Sequence, residues 1–229
     1  MKSFLTAISF LTIFRLNLKE YDNKNAPAYF PLVGLLMGLP AYLLLMSDIY
    51  LKEIIALITI VVFTGALHLD GVADTADALF SHRDKEKKLE IMKDSRIGVM
   101  GAITLILILI LKINIFKNAN PGIIPASMFF SRFIGGYVIS NSKYARSEGT
   151  GNFFKDYSFR ENVFILLLSS FALFIFIDLK QYLFVTIISF ILAKLLIRQF
   201  NNSFGGWTGD TVGASIEFSE VIILYVLSF

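Results

Sequence analysis

Apolar residues run along this chain in blocks, and the polar residues gather in the short stretches between them. A helix needs about 17–25 mostly apolar residues to cross the hydrocarbon core of a bilayer. Blocks near that length lie at Pro31–Leu51, Ile54–Leu69, Ile103–Phe116, Ile123–Ser140, Val163–Leu179, Tyr182–Ile197 and Ala214–Phe229. The second is short unless it continues through the polar motif that follows it. The third is short unless Val99–Ala102 belongs to it, with Lys112 snorkelling outward. The last carries Glu217 and Glu220 and is expected to be only partly embedded. The pattern predicts an all-α integral membrane protein, a polytopic bundle of six or seven transmembrane helices. Before these blocks, Phe4 to Phe14 forms a shorter apolar stretch, with no small-residue cleavage site after it and Arg15, Asn17, Lys19 and Glu20 next in line. It is expected to be a retained amino-terminal segment that lies on or dips into the cytoplasmic interface, in preference to a cleaved signal, with a short extra span as the alternative. With no inverted repeat, linker or low-complexity stretch, residues 1–229 read as a single helical transmembrane domain.

Lys and Arg orient this bundle. One set of loops holds Lys2, Arg15, Lys19 and Lys24, then Arg83, Lys85, Lys87, Lys88, Lys93 and Arg96, then Lys143, Arg146, Lys155 and Arg160. The opposite loops hold only Lys52, Lys117 and Lys180. Positive charge stays inside, so the first set is expected in the cytoplasm of a multi-pass protein of the cell (inner) membrane. Every polar motif discussed below lies on that face. Composition narrows the chemistry. Cys is absent, which excludes disulfides, thiolate catalysis and Cys metal sites, and the presence of only two His argues against a His-rich zinc or iron centre. A net charge of +3 is ordinary for loops facing anionic lipid and gives no case for nucleic-acid binding.

The chemistry-bearing motifs begin with His68-Leu69-Asp70-Gly71-Val72-Ala73-Asp74-Thr75-Ala76-Asp77. Asp70, Asp74 and Asp77 are spaced i, i+4, i+7 and fall on one helical face. Three like charges repel unless something positive sits among them, and a hard divalent cation, Mg²⁺, is the simplest candidate. Gly71 would let a backbone or ligand approach closely. A second motif, Glu90 to Gly98, brings Lys93, Asp94 and Arg96 to the point where the chain re-enters the membrane. Arg offers phosphate a planar fork and Lys a point charge, and Asp94 could join the metal or fix Arg96. Arg132 lies inside an apolar run, where an anion from substrate or from an acidic residue is expected beside it. Tyr144-Ala145-Arg146 leads into Glu148-Gly149-Thr150-Gly151, whose backbone N–H groups could meet phosphate oxygens. Gly205-Gly206-Trp207-Thr208-Gly209-Asp210-Thr211-Val212-Gly213 suggests a tight loop holding a polar ligand at a helix start, with Trp207 free to stack on a flat ring. Acidic ligands, phosphate-binding cations and Gly loops on one face are the parts of metal-assisted phosphoryl transfer.

These motifs resemble the cobalamin synthase family, the adenosylcobinamide-GDP ribazoletransferases. The resemblance rests on Gly65 to Asp77 and Leu89 to Gly98, then Tyr144-Ala145-Arg146 with the following Gly-Thr-Gly, and Gly205-Gly206 with Thr208 to Ala214, in the family's order. Proline-rich chemistry frequent in the family after the amino-terminal Phe-Leu-Thr is missing at Phe10-Leu11-Thr12, and no function is carried onto that segment. The resemblance implies an integral-membrane, Mg²⁺-dependent enzyme that joins adenosylcobinamide-GDP to α-ribazole or its 5′-phosphate and releases GMP. Its surroundings would be the lipid bilayer and a homo-oligomer or other cobalamin-assembly enzymes. On that implication Asp70, Asp74, Asp77 and Asp94 hold the metal, and Lys93, Arg96 and Arg146 neutralise phosphate. His68 or a free carboxylate accepts the hydroxyl proton, and Thr208 and Asp210 position the nucleotide or ribazole, with Arg132 a further substrate contact. A CDP-alcohol phosphotransferase also builds metal sites from helical Asp, but its pattern fails here because Asp-Thr-Ala-Asp follows Gly71-Val72-Ala73. A cation transporter would place its site near the midplane between repeats, which this chain lacks.

Overall fold

The computed structural model describes residues 1–146 and 149–229, and for Thr150 the backbone only. Helices α1 (Lys2–Leu11), α2 (Phe30–Leu45), α3 (Lys52–Thr64), α4 (Leu67–Phe80) and α5 (Lys85–Ile91) are followed by α6 (Val99–Asn118), α7 (Ile123–Asn141), α8 (Val163–Ser170), α9 (Leu179–Phe204) and α10 (Gly209–Leu227). Short 3-10 turns connect them, among them Thr150–Phe154 and Phe171–Ile175.

Packing sorts the helices into a centre and a rim. Within an 18-residue apolar stretch of each helix, 83% of the residues are buried in Ile123–Asn141, against 28% in Val99–Asn118 and 22% in Leu179–Phe204. So α7 is the axis, and α6 and α9 turn Ile106, Leu107 and Ile110, and Ile187, Ile191 and Leu195, outward. An exposed apolar face of that kind suits lipid. Around the axis, α2 and α10 pack on α7, and α4 is sandwiched between α10 and α6. The α2–α7 contact is close because α2 presents Gly38, where a Cβ would lie 2.7 Å from Pro125 Cα. Small residues at a helix crossing serve membrane bundles this way.

Among the described residues, four helical segments are long and apolar enough to cross a membrane, and five if α3 and α4 count together. This falls below the six or seven spans expected from the apolar blocks, for three local reasons. The block at Val163–Leu179 breaks into α8 and a 3-10 turn. The second block bends by 87° between α3 and α4. The last becomes α10, whose Asp210, Glu217 and Glu220 dilute its apolar character. At the bend, Gly65 (φ 59°) and Ala66 (φ 55°) are both left-handed. For Ala that conformation costs about 1–2 kcal/mol, which the packing of α4 must offset.

Lys112 does not snorkel outward. It is 2% exposed, and its Nζ donates to Glu217 Oε2 (2.6 Å) and Glu220 Oε1 (2.7 Å) of α10. Arg132 of α7 donates through Nη1 to the second Glu220 oxygen and to Ser131 Oγ (2.9 Å). Two cations and two carboxylates thus form a neutral network that ties α6, α7 and α10 together in the apolar interior, with Arg132 Nη2 buried beside it and unpartnered.

Candidate active site

Helix α4 carries the Asp stripe because its other residues are small or apolar. Val72 is fully buried against Ile108 of α6 and Ala214 of α10, which rotates Asp70, Asp74 and Asp77 away from that contact. The N-terminus of α10 lies directly on α4. A Cβ at Gly71 would be 2.6 Å from the Asp210 carbonyl, so the close approach expected at Gly71 is made by backbone. Asp210 is thereby delivered to the stripe. Asp70 and Arg146 are among the charges acting on it, and the Arg146 Nη2 donates to its Oδ2 at 2.8 Å. Burial pushes the Asp210 carboxyl up, and the Arg146 guanidinium opposes that shift. Asp74 feels Asp70, Asp210 and Asp77 as like charges and Arg146 as the opposing one.

Arg146 is held in place by a backbone clasp. Trp207 N donates to Lys143 O and Ala145 N donates to Trp207 O, both at 2.8 Å, joining the end of α7 to the start of α10. Trp207 does not stand free for stacking. It is 1% exposed, packs at 4.8 Å on the Tyr144 ring and donates through Nε1 to Ser142 O at 3.2 Å.

Several residues grouped with these by sequence are engaged by other partners. Asp77 accepts from Gly98 N (2.7 Å, Oδ2) and Gly101 N (2.8 Å, Oδ1), so both its oxygens cap the N-terminus of α6. Asp94 is engaged by Arg96, whose Nε and Nη2 donate at 3.0 and 2.6 Å and hold its carboxyl down at about 2. Lys93 and Arg96 are exposed on that loop. Arg132 finds its anion inside the protein, in Glu220, and not in a ligand. Thr208 is fully buried as the N-cap of α10, in a reciprocal capping box with Thr211. Glu148 lies outside the described residues, and so does the side chain of Thr150.

His68 lies at the other edge of this site. It is 3% exposed, and neither ring nitrogen has a hydrogen-bond partner. Its Nδ1 is 3.9 Å from Glu217 Oε1, beyond hydrogen-bond reach. With Asp70 and Asp210 it lines a cavity of about 210 Å³ whose apolar wall includes Phe10, Phe30 and Phe154. The pattern of the sequence gives no role to Phe10 or to the pairing of Lys112 with Glu217 and Glu220. A signal for the network was present: Lys112, Arg132, Glu217 and Glu220 are ionisable residues within apolar blocks, and their charges cancel.

Among the described residues no group of three or more His, Asp or Glu side chains is drawn tightly enough together to enclose a metal ion. The chemistry of the donors nevertheless fits a hard divalent cation. Asp70, Asp74 and Asp210 supply oxygen, interact as like charges and have one opposing guanidinium nearby.

The family model described as Cobalamin-5-phosphate synthase matches residues 3–228. A relative from Caldanaerobacter subterraneus subsp. tengcongensis, named adenosylcobinamide-GDP ribazoletransferase, is 34% identical over 243 residues, covering 100% of this chain and 98% of its own. Relatives of the same name from Alkaliphilus oremlandii and Clostridium novyi are 32% and 34% identical, covering 98% and 100% of this chain and 96% and 98% of theirs. No solved structure matches. The matched region takes in α4, the Arg146 clasp and the start of α10 together, and the chain belongs to the cobalamin-5-phosphate synthase family.

Proposed function

We propose that this chain transfers the cobinamide phosphate of adenosylcobinamide-GDP to α-ribazole or its 5′-phosphate, releasing GMP, with Mg²⁺ as cofactor. The observation that carries the reading is the docking of the α10 N-terminus on α4 at Gly71, which sets Asp210, held by Arg146, beside the stripe of Asp70 and Asp74. Asp70, Asp74 and Asp210 would hold the ion. When bound, it would supply charge neutralisation on the diphosphate. Asp77 and Asp94 are left out of the set because the α6 N-terminus and Arg96 occupy them.

The chain's own residues would do the rest. An acceptor hydroxyl of the ribazole forms a new bond to the phosphorus that carries the cobinamide arm. The P–O bond of the diphosphate breaks, and GMP leaves with the electron pair. His68, with both nitrogens unpartnered, would take the hydroxyl proton. Arg146 would exchange part of its hold on Asp210 for a phosphate oxygen, as a planar guanidinium does readily. Lys93 and Arg96, exposed on the loop before α6, would draw the donor's phosphates toward the site. Because basic loops flank this end of the bundle, the active face is assigned to the cytoplasm of the cell membrane.

The deciding experiment incubates purified protein with adenosylcobinamide-GDP, α-ribazole and Mg²⁺ and follows GMP. Release that stops with a chelator and returns with added Mg²⁺ is expected. Absence of GMP under all these conditions would remove the reading. Accessibility tags at Glu86 and Asn202 should both report cytoplasm, and a pair on opposite sides would break the orientation.

A further inference from the structure

We infer that the cavity beside His68 binds the fused bicyclic base of a ribonucleoside, namely the benzimidazole of the acceptor, and that the amino-terminal helix supplies one wall of that pocket. This assignment rests on the proposed transfer reaction for the identity of the nucleoside.

Four features of the cavity carry it. The first is size. An apolar cavity of about 150 Å³ accepts a benzene ring. The 210 Å³ here suits one two-ring heterocycle and is far too small for a corrin macrocycle. The second is the nature of the wall. Phe10 from α1, Phe30 from α2 and Phe154 from the turn Thr150–Phe154 come from three distant parts of the chain to form one cluster. Phe10 meets Phe154 edge-on at 4.5 Å and lies nearly parallel to Phe30 at 5.9 Å. Such a cluster offers both ring faces and ring edges to a flat aromatic guest.

The third feature is the polar end. His68 is 3% exposed, with Nδ1 and Nε2 both unpartnered, and lines the same cavity as Asp70 and Asp210. A buried imidazole without any partner carries a desolvation cost that a ligand's hydrogen bond would relieve. Lipid chains entering from the bilayer would leave His68, Asp70 and Asp210 as they are, so an acyl chain does not fit this lining. A riboside fits it, with its base among the rings and its hydroxyls at the polar end. The fourth feature is position. Asp70 and Asp210 belong to both the cavity and the carboxylate site, so a hydroxyl leaving the mouth of the pocket meets the reacting phosphate without further movement of the base.

Guanine, the base of the donor, shares the bicyclic riboside chemistry. The wall favours benzimidazole because guanine would bury an amide edge and an exocyclic amine against Phe10, Phe30 and Phe154, which offer no hydrogen bonds.

Two variants test the assignment. Phe10→Ala removes a wall, and Leu11→Phe, at a buried lining position, fills the space without opening the fold. Binding of α-ribazole, and separately of GMP, is measured by calorimetry on the full-length protein in nanodiscs, with thermal unfolding as the folding check. Each variant should weaken α-ribazole binding about tenfold or more and leave GMP binding alone. In turnover, KM for α-ribazole should rise and KM for adenosylcobinamide-GDP should hold. Wild-type protein that does not bind α-ribazole, or folded variants that bind it as wild type does, would overturn the assignment. So would weakening of GMP binding alone, which would give the pocket to the donor's base. Calorimetry is read independently of turnover. Loss of α-ribazole binding in the variants of a protein that releases no GMP would therefore sink the transfer reaction and leave the pocket standing.

Discussion

Two groups of charges meet α10 a few turns apart, and they are built on opposite principles. In the interior, Lys112, Arg132, Glu217 and Glu220 balance to zero, and each carboxylate has a cation in contact. At the end of the bundle, Asp70, Asp74 and Asp210 act on one another as like charges, with Arg146 opposing them. A buried network must be neutral and hydrogen-bonded, because desolvated charge without a partner is expensive. The end site tolerates an excess of negative charge because Asp70 is exposed and Asp74 and Asp210 are half-buried. Neutral and closed is what structure requires. Negative and open is what a cation and a phosphorylated substrate require. His68 stands between the two, 3.9 Å from Glu217 and lining the same cavity as Asp70, so the interior network also fixes the surroundings of the candidate proton acceptor.

The sharpest way to break this contrast is to unbalance the interior. Lys112→Met leaves Glu217 and Glu220 with Arg132 alone. Removing one partner from a buried ion pair costs about 3–5 kcal/mol. The variant should lose most of its resistance to heat in detergent, read as apparent Tm. Adding Glu217→Gln to it restores neutrality and should recover much of that loss. A single variant as stable as wild type would mean that these charges are solvated and that the network is not closed.

How far the sequence reaches follows from how local each feature is. The stripe Asp70–Asp74 and the small face at Gly71 are legible because helical periodicity is a matter of neighbours. The fate of Asp77 is not, since its partners are Gly98 and Gly101 on the next long helix, and nothing at Asp77 says where that helix begins. Lys112 and Glu217 are 105 residues apart, so their pairing is set by packing. The bend at Gly65-Ala66 contains no Pro and places Ala in an unfavourable conformation, and only the docking of α4 between α6 and α10 accounts for it. Thr208 is an intermediate case. A Thr three residues ahead of another Thr, at the head of an apolar run, fits a helix cap, and its polar neighbours fit a ligand contact as well, so the sequence does not separate the two.

Within the Asp stripe itself the comparison can be made one residue at a time. Asp74 faces other carboxylates, and Asp77, one turn on, faces the N–H groups of α6. Asp74→Asn should lower GMP release by about 10²-fold or more while apparent Tm holds or rises, because it removes a repelled charge that the reaction uses. Asp77→Asn should do the reverse. It weakens a helix cap, which costs about 1 kcal/mol, and keeps most of the turnover of the protein that remains folded. The pair is informative because the two changes are chemically identical and the residues share one helical face. Equal loss of turnover in both, with Tm unmoved in Asp77→Asn, would put Asp77 back among the metal-binding carboxylates and show that its contact with α6 opens when substrate binds. The expected outcome, activity lost at one position and stability at the other, would show that a helix can present one unbroken acidic stripe and still divide it between chemistry and architecture according to what lies opposite.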